Sequence, residues 1–425
     1  MTELIQGCHP GFVCPLASAQ SIRLARPADL AVALTQGRIQ LLGLFEGFER
    51  ALGPDGMRIA RDTAVNLPLW ELGHIGWFEE YWLSRNGERG LGSACNPLGS
   101  RSASLLAQAD ELYDSSHVSH GRRWQLALPD PDATRGYLAA VRESTLALLR
   151  ASGSRDEDLY FFRLVLFHEA MHREAWHFIA QRLGIDLGPA MNARAPSPTR
   201  VAGTWRVPGG SRQTGVDEPG FAFDNELGAH VVEVPAFDID RSPVSWSAFI
   251  AFVDAGGYAS EAAWTPAGRE WLRSTDASHP LHLRRGHDGW ERSQFGCWTS
   301  LDMEAPVQNI CVHEALAWCC WAGRRLPTEY EWETAARLAP EQEEDFEWGQ
   351  VWEWTASGFG PYPGFMAHPY RDYSEPWFDG RPVLRGGSFA TSAHLKHRSY
   401  RNFFEAARND VFAGFRSCAL EGRSA

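Results

Sequence analysis

The segment from residue 156 to residue 184 reads DEDLYFFRLVLFHEAMHREAWHFIAQRLG, and it decides the first half of the fold. Apolar residues and histidines recur along it every three or four positions, at Phe161, Val165, His168, His172, Ala175 and Ile179. This spacing places them on one face of a helix. Gly184 is a residue type that commonly follows a helix end. The pattern therefore predicts an amphipathic helix over Asp156–Leu183.

Three further segments show the same helical spacing of apolar residues: Pro27–Leu52, Pro68–Arg85 and Asp132–Arg150. Each has one apolar stripe, and the stripe of the second includes His74. Four helices with one apolar stripe each are typical of a four-helix bundle. The connection Asn86–Pro131 is longer than most loops, so we expect it to contribute more than a link between helices.

The second half of the chain has a different texture. Helical periodicity mostly disappears, and short β-like runs such as Val231–Phe237 and Val383–Arg385 alternate with Gly/Pro turns. Helices are expected at Ser245–Asp254 and His313–Ala322. We predict an α+β protein with a helical bundle at 20–187, a Pro/Ala/Ser-rich linker at 188–208 and an irregular domain at 209–421.

Composition excludes several classes of function. The chain has 425 residues and a formal net charge of -13, which argues against nucleic acid as a partner. It contains no apolar run of transmembrane length, and Met1–Gln20 lacks the features of an export signal. Eight cysteines occur without a CxxC pair. We expect a cytoplasmic protein with reduced thiols and no membrane partner, while nothing in the composition indicates its oligomeric state.

A histidine cluster is the strongest chemical signal. His168 and His172 are four residues apart, so both imidazoles point to the same side of their helix, about 40° apart. His74 lies on the inward stripe of another helix. A single inward histidine is more often an ordinary core residue than a ligand. Three that converge predict a transition-metal site, because neutral imidazole is the commonest ligand of such metals.

The metal has to be chosen between zinc and iron. Residues 168–172 formally match HExxH, the signature of zinc metalloproteases. Such a site needs a third ligand downstream, and the candidates Glu174 and His177 are rotated away from the face of the two histidines. A site of three histidines with open positions suits Fe(II), which can bind O2 and a soft thiolate or selenolate together.

Four motifs occur in order in the second half: Gly323-Arg-Arg-Leu-Pro-Thr-Glu-Tyr-Glu-Trp-Glu333, Trp352-Glu-Trp-Thr, Leu384-Arg-Gly-Gly-Ser-Phe389 and Gly414-Phe-Arg416. Together they resemble the formylglycine-generating-enzyme/sulfatase-modifying domain, an irregular C-type-lectin-like fold. Joined to an HxxxHxE helical bundle of the DinB kind, the chain resembles the ergothioneine-pathway sulfoxide synthases, the EgtB family, from about Arg26 to Leu420. The segments 109–124 and 161–174 look most similar to its selenoneine synthase branch, SenA.

This resemblance implies roles for individual residues. His74, His168 and His172 match the family's three-histidine iron site. Tyr362 matches the region of its active-site tyrosine, although a structural turn tyrosine is the alternative. Asn402 and Phe403 match the pocket for the betaine hercynine, whose trimethylammonium group is best held by aromatic faces. Ordinary core packing is the alternative for Phe403 and Phe404.

The chain departs from the family pattern at several positions. Met171 stands where many sulfoxide synthases have Gln, and Phe404 stands where many have an Asp that helps to bind an amino-acid thiol donor. No cysteine follows the Gly-Gly-Ser run closely, which argues against formylglycine-generating activity. Gln350 and Val351 replace an Asn-Val pair that is often part of a calcium site, so we do not predict a calcium site, and its presence stays open.

The resemblance thus implies O2-dependent carbon–selenium bond formation at non-haem Fe(II), joining hercynine to a selenosugar. The alternative is an ergothioneine-type sulfoxide synthase that uses cysteine or γ-glutamylcysteine. Arg122, Arg123 and Trp124 are candidates for the donor pocket, although a basic pair on the surface is the more ordinary interpretation. A lectin-like binding module without catalysis is the alternative from another class.

Overall fold

The computed structural model describes residues 19–53, 57–193 and 201–420. Its first half is helical, and its second half is rich in short strands, as expected for an α+β protein. Most of Met1–Gln20 lies outside the described residues, as do Cys8, Cys14 and residues 194–200 of the predicted linker.

The helices of the described residues are α1 (Ala19–Arg23), α2 (Pro27–Leu52), α3 (Pro68–Trp82), α4 (Ala109–Tyr113), α5 (Pro131–Ala151), α6 (Asp156–Leu183), α7 (Trp246–Asp254), α8 (Pro266–Thr275), α9 (Val312–Ala322) and α10 (Glu329–Glu341). The strands are β1 (Thr204–Val207), β2 (Gly210–Thr214), β3 (His230–Val234), β4 (Phe237–Asp240), β5 (Leu283–Arg285), β6 (Trp290–Gln294), β7 (Cys297–Ser300), β8 (Arg324–Arg325), β9 (Trp352–Gly358), β10 (Pro382–Arg385), β11 (Asn402–Phe403), β12 (Ala413–Gly414) and β13 (Cys418–Ala419).

Helices α2, α3, α5 and α6 form the predicted bundle, and the predicted bounds of α2 and α6 are confirmed. Helix α3 ends three residues earlier than predicted, because Leu83 leaves the helical conformation and Arg85 binds Asp110 in the long connection. Gly184 caps α6 in the left-handed conformation, at φ 66°.

One buried ionic network joins all four bundle helices. Arg38 of α2 lies 2.7 Å from Glu79 of α3 and 2.8 Å from Glu169 of α6. Arg142 of α5 lies 2.8 Å from Glu79 and 2.9 Å from Glu169. We call these four residues the ionic quartet. Burial alone raises the pKa of Glu79, but the two guanidinium groups outweigh burial and lower this pKa to about 2.

The second half contains two four-stranded sheets, with strand orders β1-β4-β13-β8 and β11-β10-β9-β12, and two smaller antiparallel sheets. Within the two larger sheets β12 pairs with β9 in parallel and the other pairings are antiparallel. The predicted run Val231–Phe237 is divided into β3 and β4 by Pro235, which cannot donate to a strand ladder. Strand β1 lies inside the predicted linker, because residues 204–207 pair with β4.

The motifs of the second half meet in its core. Arg416 forms an ion pair with Glu353, and the Glu353 carboxylate also accepts a hydrogen bond of 2.8 Å from Trp332. Arg385 pairs with Glu333. All five side chains are buried, so each charged group has its partner where water is absent.

The two halves share one hydrophobic core and several polar contacts. The Glu174 carboxylate of α6 accepts hydrogen bonds from Trp352 at 2.8 Å, Ser388 at 2.7 Å and Thr391 at 2.6 Å. Arg23 pairs with Glu226 at 2.9 Å. The contacts of Glu174 therefore fix the bundle to the second domain close to His172.

Two composition-based expectations can be compared with the fold. Within the described ranges, none of the helices combines the length and apolarity that crossing a bilayer requires. The six described cysteines are all unpaired thiols: Cys95, Cys297, Cys311, Cys319, Cys320 and Cys418.

The ionic quartet generates a stability prediction. Glu79→Gln leaves two buried guanidinium groups short of a partner, so we expect the bundle to lose about 3–5 kcal/mol of unfolding free energy. The exposed pair Arg273–Glu270 provides the control, and Glu270→Gln should cost less than about 1 kcal/mol. Urea unfolding followed by far-UV circular dichroism measures both. Equal losses in the two variants would show that the quartet has no special role.

Candidate metal centre and the adjoining cavity

Three histidines from two helices meet inside the bundle. His74 comes from α3, and His168 and His172 come from α6; one ring nitrogen of each lies within 4.8 Å of the other two. The Nε2 atoms of His168 and His172 are 3.2 Å apart. Two nitrogens at right angles about one ion, each at the usual bond length of about 2.1 Å, would be about 3.0 Å apart. The spacing therefore fits a shared metal ion.

Neighbouring groups fix the orientation of His74. Its Nδ1 lies 2.8 Å from the carbonyl oxygen of Tyr113, which can only accept, so Nδ1 carries the proton and Nε2 keeps a free lone pair. The ring stacks on Trp70 with centroids 5.0 Å apart. Tyr113 reaches this position because residue 73 is glycine: a Cβ atom there would lie 2.2 Å from the Tyr113 ring.

Burial keeps two of the three imidazoles, those of His74 and His168, uncharged. It lowers the pKa of His74 to about 3, with a further contribution from His172, and it holds the pKa of His168 well below its usual value. The His168 ring also stacks on Phe78 with centroids 3.6 Å apart. These two imidazoles are neutral at pH 7 and available as ligands.

Glu71 is a neighbour of the cluster that sequence reasoning missed. It is buried, and its Oε1 lies 3.6 Å from Nδ1 of His172 while accepting a hydrogen bond of 2.9 Å from Asn66. Among the described residues, Glu71 Oε2 and His172 Nδ1 have no hydrogen-bond partner. Glu71 is placed to orient His172, as carboxylates commonly do for metal-binding histidines. Glu71 lies three residues before His74 on the same helix, and this spacing could have indicated from the sequence that the two side chains share a face.

The two downstream candidates for a third zinc ligand lie elsewhere. Glu174 is buried and held by the second domain, as described above. His177 lies between two carbonyl oxygens, with Nδ1 at 2.8 Å from that of Arg173 and Nε2 at 3.0 Å from that of Met191, and its neutral ring can donate to one of them. Neither belongs to the histidine cluster, so the structure does not supply the downstream ligand that the HExxH interpretation needs.

A cavity of about 660 Å3 opens beside His168 and His172, and both domains line it. The predicted substrate residues Met171, Asn402, Phe403 and Phe404 lie in its wall. The remaining lining residues are Ala64, Val65, Asn66, Glu71, Ser115, Ser116, Arg123, Glu174, Ala175, Phe178, Ile179, Tyr370, Asp372, Tyr373, Pro376, Trp377, Tyr400 and Arg408. We call this space the main cavity.

Two arginines bring positive charge to the main cavity. The Arg123 guanidinium lies 3.9 Å from the centre of the Trp70 ring and donates a hydrogen bond of 2.6 Å to Asn66. Arg408 lies over Phe404 but is paired with Asp410 at 2.6 Å. Of the donor-pocket candidates, Arg123 therefore lies at the cavity. Arg122 is exposed, and Trp124 donates to the carbonyl of Ile59 outside the lining.

The structure does not bring Tyr362 to the main cavity. Its hydroxyl is buried and donates a hydrogen bond of 3.2 Å to Glu329, and its ring lies under the Arg401 guanidinium at 4.0 Å. This arrangement corresponds to the structural alternative for Tyr362. Tyr370 lines the cavity instead, with its ring centre 6.1 Å from that of His168. Burial raises the pKa of the Tyr370 hydroxyl, so it holds its proton at pH 7.

Sequence comparisons identify both domains. Residues 33–175 match the DinB superfamily. Residues 190–350 and 347–420, more than half of the chain, match the sulfatase-modifying factor enzyme 1-like domain. These matches agree with the predicted fold class and with the resemblance seen in the motifs.

Full-length relatives cover nearly the whole chain. Hercynine oxygenase of Mycobacterium tuberculosis is 34% identical over 92% of this chain and 99% of its own length. Hercynine oxygenase of Mycolicibacterium smegmatis is 34% identical over 82% of this chain and 90% of its own length. Formylglycine-generating enzyme of Mycobacterium tuberculosis is 33% identical, but over 31% of this chain and 50% of its own length. The chain belongs to the hercynine oxygenase family and combines a DinB superfamily domain with a sulfatase-modifying factor enzyme 1-like domain.

Proposed function

We propose that this protein is an O2-dependent oxidoreductase that acts on hercynine at a non-haem iron and joins it to a chalcogen donor. The observation that carries the proposal is the three-histidine cluster at the wall of a cavity closed by aromatic residues of the second domain. Membership of the hercynine oxygenase family supports hercynine as the substrate.

His74, His168 and His172 would hold the iron, since they supply neutral nitrogen ligands at a suitable spacing and leave other positions open. When bound, Fe(II) supplies a centre that binds O2 and the donor's sulfur or selenium beside hercynine. Glu71 orients the ring of His172.

Hercynine fits the aromatic side of the main cavity. Its trimethylammonium group cannot donate a hydrogen bond and is best held by aromatic faces, and Tyr370, Tyr373, Trp377 and Phe403 provide them. Asn402 also lines this cavity and offers an amide for the polar end of the substrate. We assign Phe404 and Met171 to the surface that contacts the donor.

A proton or hydrogen-atom source beside O2 favours bond formation over simple oxidation of the donor. We assign this role to the hydroxyl of Tyr370, because it lies at the cavity, whereas the hydroxyl of Tyr362 is engaged by Glu329. The sequence-based assignment of Tyr362 stays a prediction that paired variants test below.

For the donor, the similarity to hercynine oxygenases supports the sulfoxide synthase alternative better than the selenosugar hypothesis. The cavity also carries opposite charges, on Arg123 and Glu71, that suit the carboxylate and ammonium groups of cysteine or γ-glutamylcysteine.

The selenosugar remains the second candidate on a specific observation. Met171 and Phe404, which replace polar residues of many sulfoxide synthases, both line the main cavity. These substitutions remove an amide and a carboxylate from the surface beside the donor. A neutral sugar would lose less binding free energy through this change than a zwitterionic donor would.

We propose that the protein acts in the cytoplasm, because the six described cysteines are unpaired thiols. The alternative from another class, a lectin-like binding module, predicts protein that is purified without bound iron, and the first experiment below separates it from the enzyme.

We expect His74→Ala, His168→Ala and His172→Ala each to abolish stoichiometric iron binding and to lower turnover by at least a hundredfold. His177→Gln is the matched control on α6. His177 lies outside the histidine cluster, against the carbonyl oxygens of Arg173 and Met191, so this variant should keep its iron. Metal analysis of purified protein and circular dichroism check loading and folding. Wild-type iron in all three alanine variants would remove the metal assignment.

Tyr370→Phe keeps the ring and removes the hydroxyl. We expect hercynine binding to persist while the products shift towards oxidised donor alone. Tyr362→Phe, which breaks only the contact to Glu329, should keep the wild-type product ratio. Mass spectrometry of both products gives the ratio. A shift in the Tyr362 variant alone would return the catalytic role to that residue.

Donor choice is tested with cysteine, γ-glutamylcysteine, a 1-thio-sugar and a 1-seleno-sugar at equal concentration with hercynine, Fe(II) and O2. We expect the amino-acid thiols to give most of the product. Arg123→Gln should lower kcat/KM for them about tenfold to a hundredfold, because a hydrogen bond between charged groups is lost. Predominant product from the seleno-sugar would establish the second candidate instead.

A further inference from the structure

A second cavity, of about 440 Å3, lies on the opposite side of α6 from the histidine cluster. Ala170, Arg173 and His177 face it, about half a turn around the helix from His168 and His172. Its other walls come from α2, from residues 190–191 after α6 and from residues 390–394 of the second domain. Pockets between domains are common places for small ligands. We call this space the rear cavity.

The rear cavity exists because small residues face each other across it. The residues without bulky side chains in its lining are Ala33, Gly37, Ala170, Ala190, Ala390 and Ala393. Leu44 and Met191 add a larger apolar surface at one side. The space is enough for a compact organic molecule with an apolar part.

Arg173 brings an incompletely paired cation to this space. Its side chain is nine-tenths buried, at 9% exposure, and lines the cavity. One guanidinium nitrogen donates to the Gln40 amide, while Nε is buried and has no hydrogen-bond partner among the described residues. A buried guanidinium without a carboxylate is costly, and an anionic ligand would remove much of that cost.

Glu169 attracts Arg173 electrostatically, but the two share no ion pair among the described residues. The Oε2 atom of Glu169 takes the ion pairs from Arg38 and Arg142, and its Oε1 is buried without a hydrogen-bond partner in the described part of the chain. Arg173 and the ionic quartet together contain three guanidinium groups and two carboxylates. One positive charge is left over beside the rear cavity.

His394 provides a second donor from the other domain. It lines the rear cavity, and its Nδ1 is buried without a hydrogen-bond partner in the part of the chain that the structure describes. Burial, and then the charge of Arg173, lower its pKa to about 4, so the ring is neutral at pH 7 and can donate one N–H bond. Gln36, Gln40 and Ser392 add neutral polar groups around it.

We propose that the rear cavity binds a small organic anion through Arg173 and His394. Its carboxylate or phosphate group would accept hydrogen bonds from the guanidinium and imidazole, while its apolar part contacts the alanines, Leu44 and Met191. Both domains contribute to the site, so such a ligand stabilises their contact. The proposal is independent of the iron site and of hercynine.

Calorimetric titration of the full chain with inorganic phosphate and with butyrate, at ionic strength matched with sodium chloride, tests the site. We expect saturable one-site binding of at least one probe and a matching rise in Tm. Arg173→Gln and His394→Leu should weaken binding about tenfold to a hundredfold. Arg273→Gln, at an exposed arginine, should bind like the wild type.

Ala33→Leu fills the cavity and should also block binding, which keeps the test valid if the Arg173 variant fails to fold. Binding of phosphate alone or of butyrate alone identifies the anionic group and supports the site. Failure of both probes to bind the wild-type chain, or equal binding by wild type, His394→Leu and Ala33→Leu, would overturn the proposal.

Discussion

The ionic quartet is the interaction on which the histidine cluster depends. Arg38, Glu79, Arg142 and Glu169 take one residue from each bundle helix and balance two positive charges with two negative ones. Glu169 directly follows His168, and Glu79 lies little more than a turn beyond His74. Because the desolvated charges stabilise one another only in this arrangement, they set the rotation of α3 and α6, and thereby the direction in which the ligands point.

The second domain is positioned from the same helix. Glu174, two residues after His172, accepts hydrogen bonds from Trp352, Ser388 and Thr391. A single helix thus carries two of the cluster histidines on one face and also the anchor for the domain that helps to line the main cavity. The Gly-Gly-Ser motif contributes Ser388 to this contact, which gives the motif a structural use in this chain.

Local patterns were enough to predict the four bundle helices and the convergence of the histidines, but not α8 and α10 of the second half. Helical spacing is a property of neighbouring residues, so the bounds of α2 and α6 and the common direction of His168 and His172 followed from it. The place of β13 between β4 and β8 could not be predicted in this way, because the pairing of β13 with β4 joins residues almost 180 positions apart. Glu71, Arg123 and Tyr370 were missed or underrated for the same reason: their proximity to the cluster comes from packing across the chain. Tyr362 was assigned by motif, and only the three-dimensional contacts show that its hydroxyl faces Glu329.

The contact between Gly73 and Tyr113 has a consequence for how members of this family diverge. Tyr113 belongs to the long connection between α3 and α5, and its carbonyl fixes the ring of His74. The same connection supplies Ser115, Ser116 and Arg123 to the main cavity. Under the proposed function, one connection thus bears on both donor choice and metal affinity. Grafting this loop from a relative exchanges both properties at once, and a graft that carries a new donor pocket but misplaces one backbone carbonyl would yield a protein with altered selectivity and little bound metal.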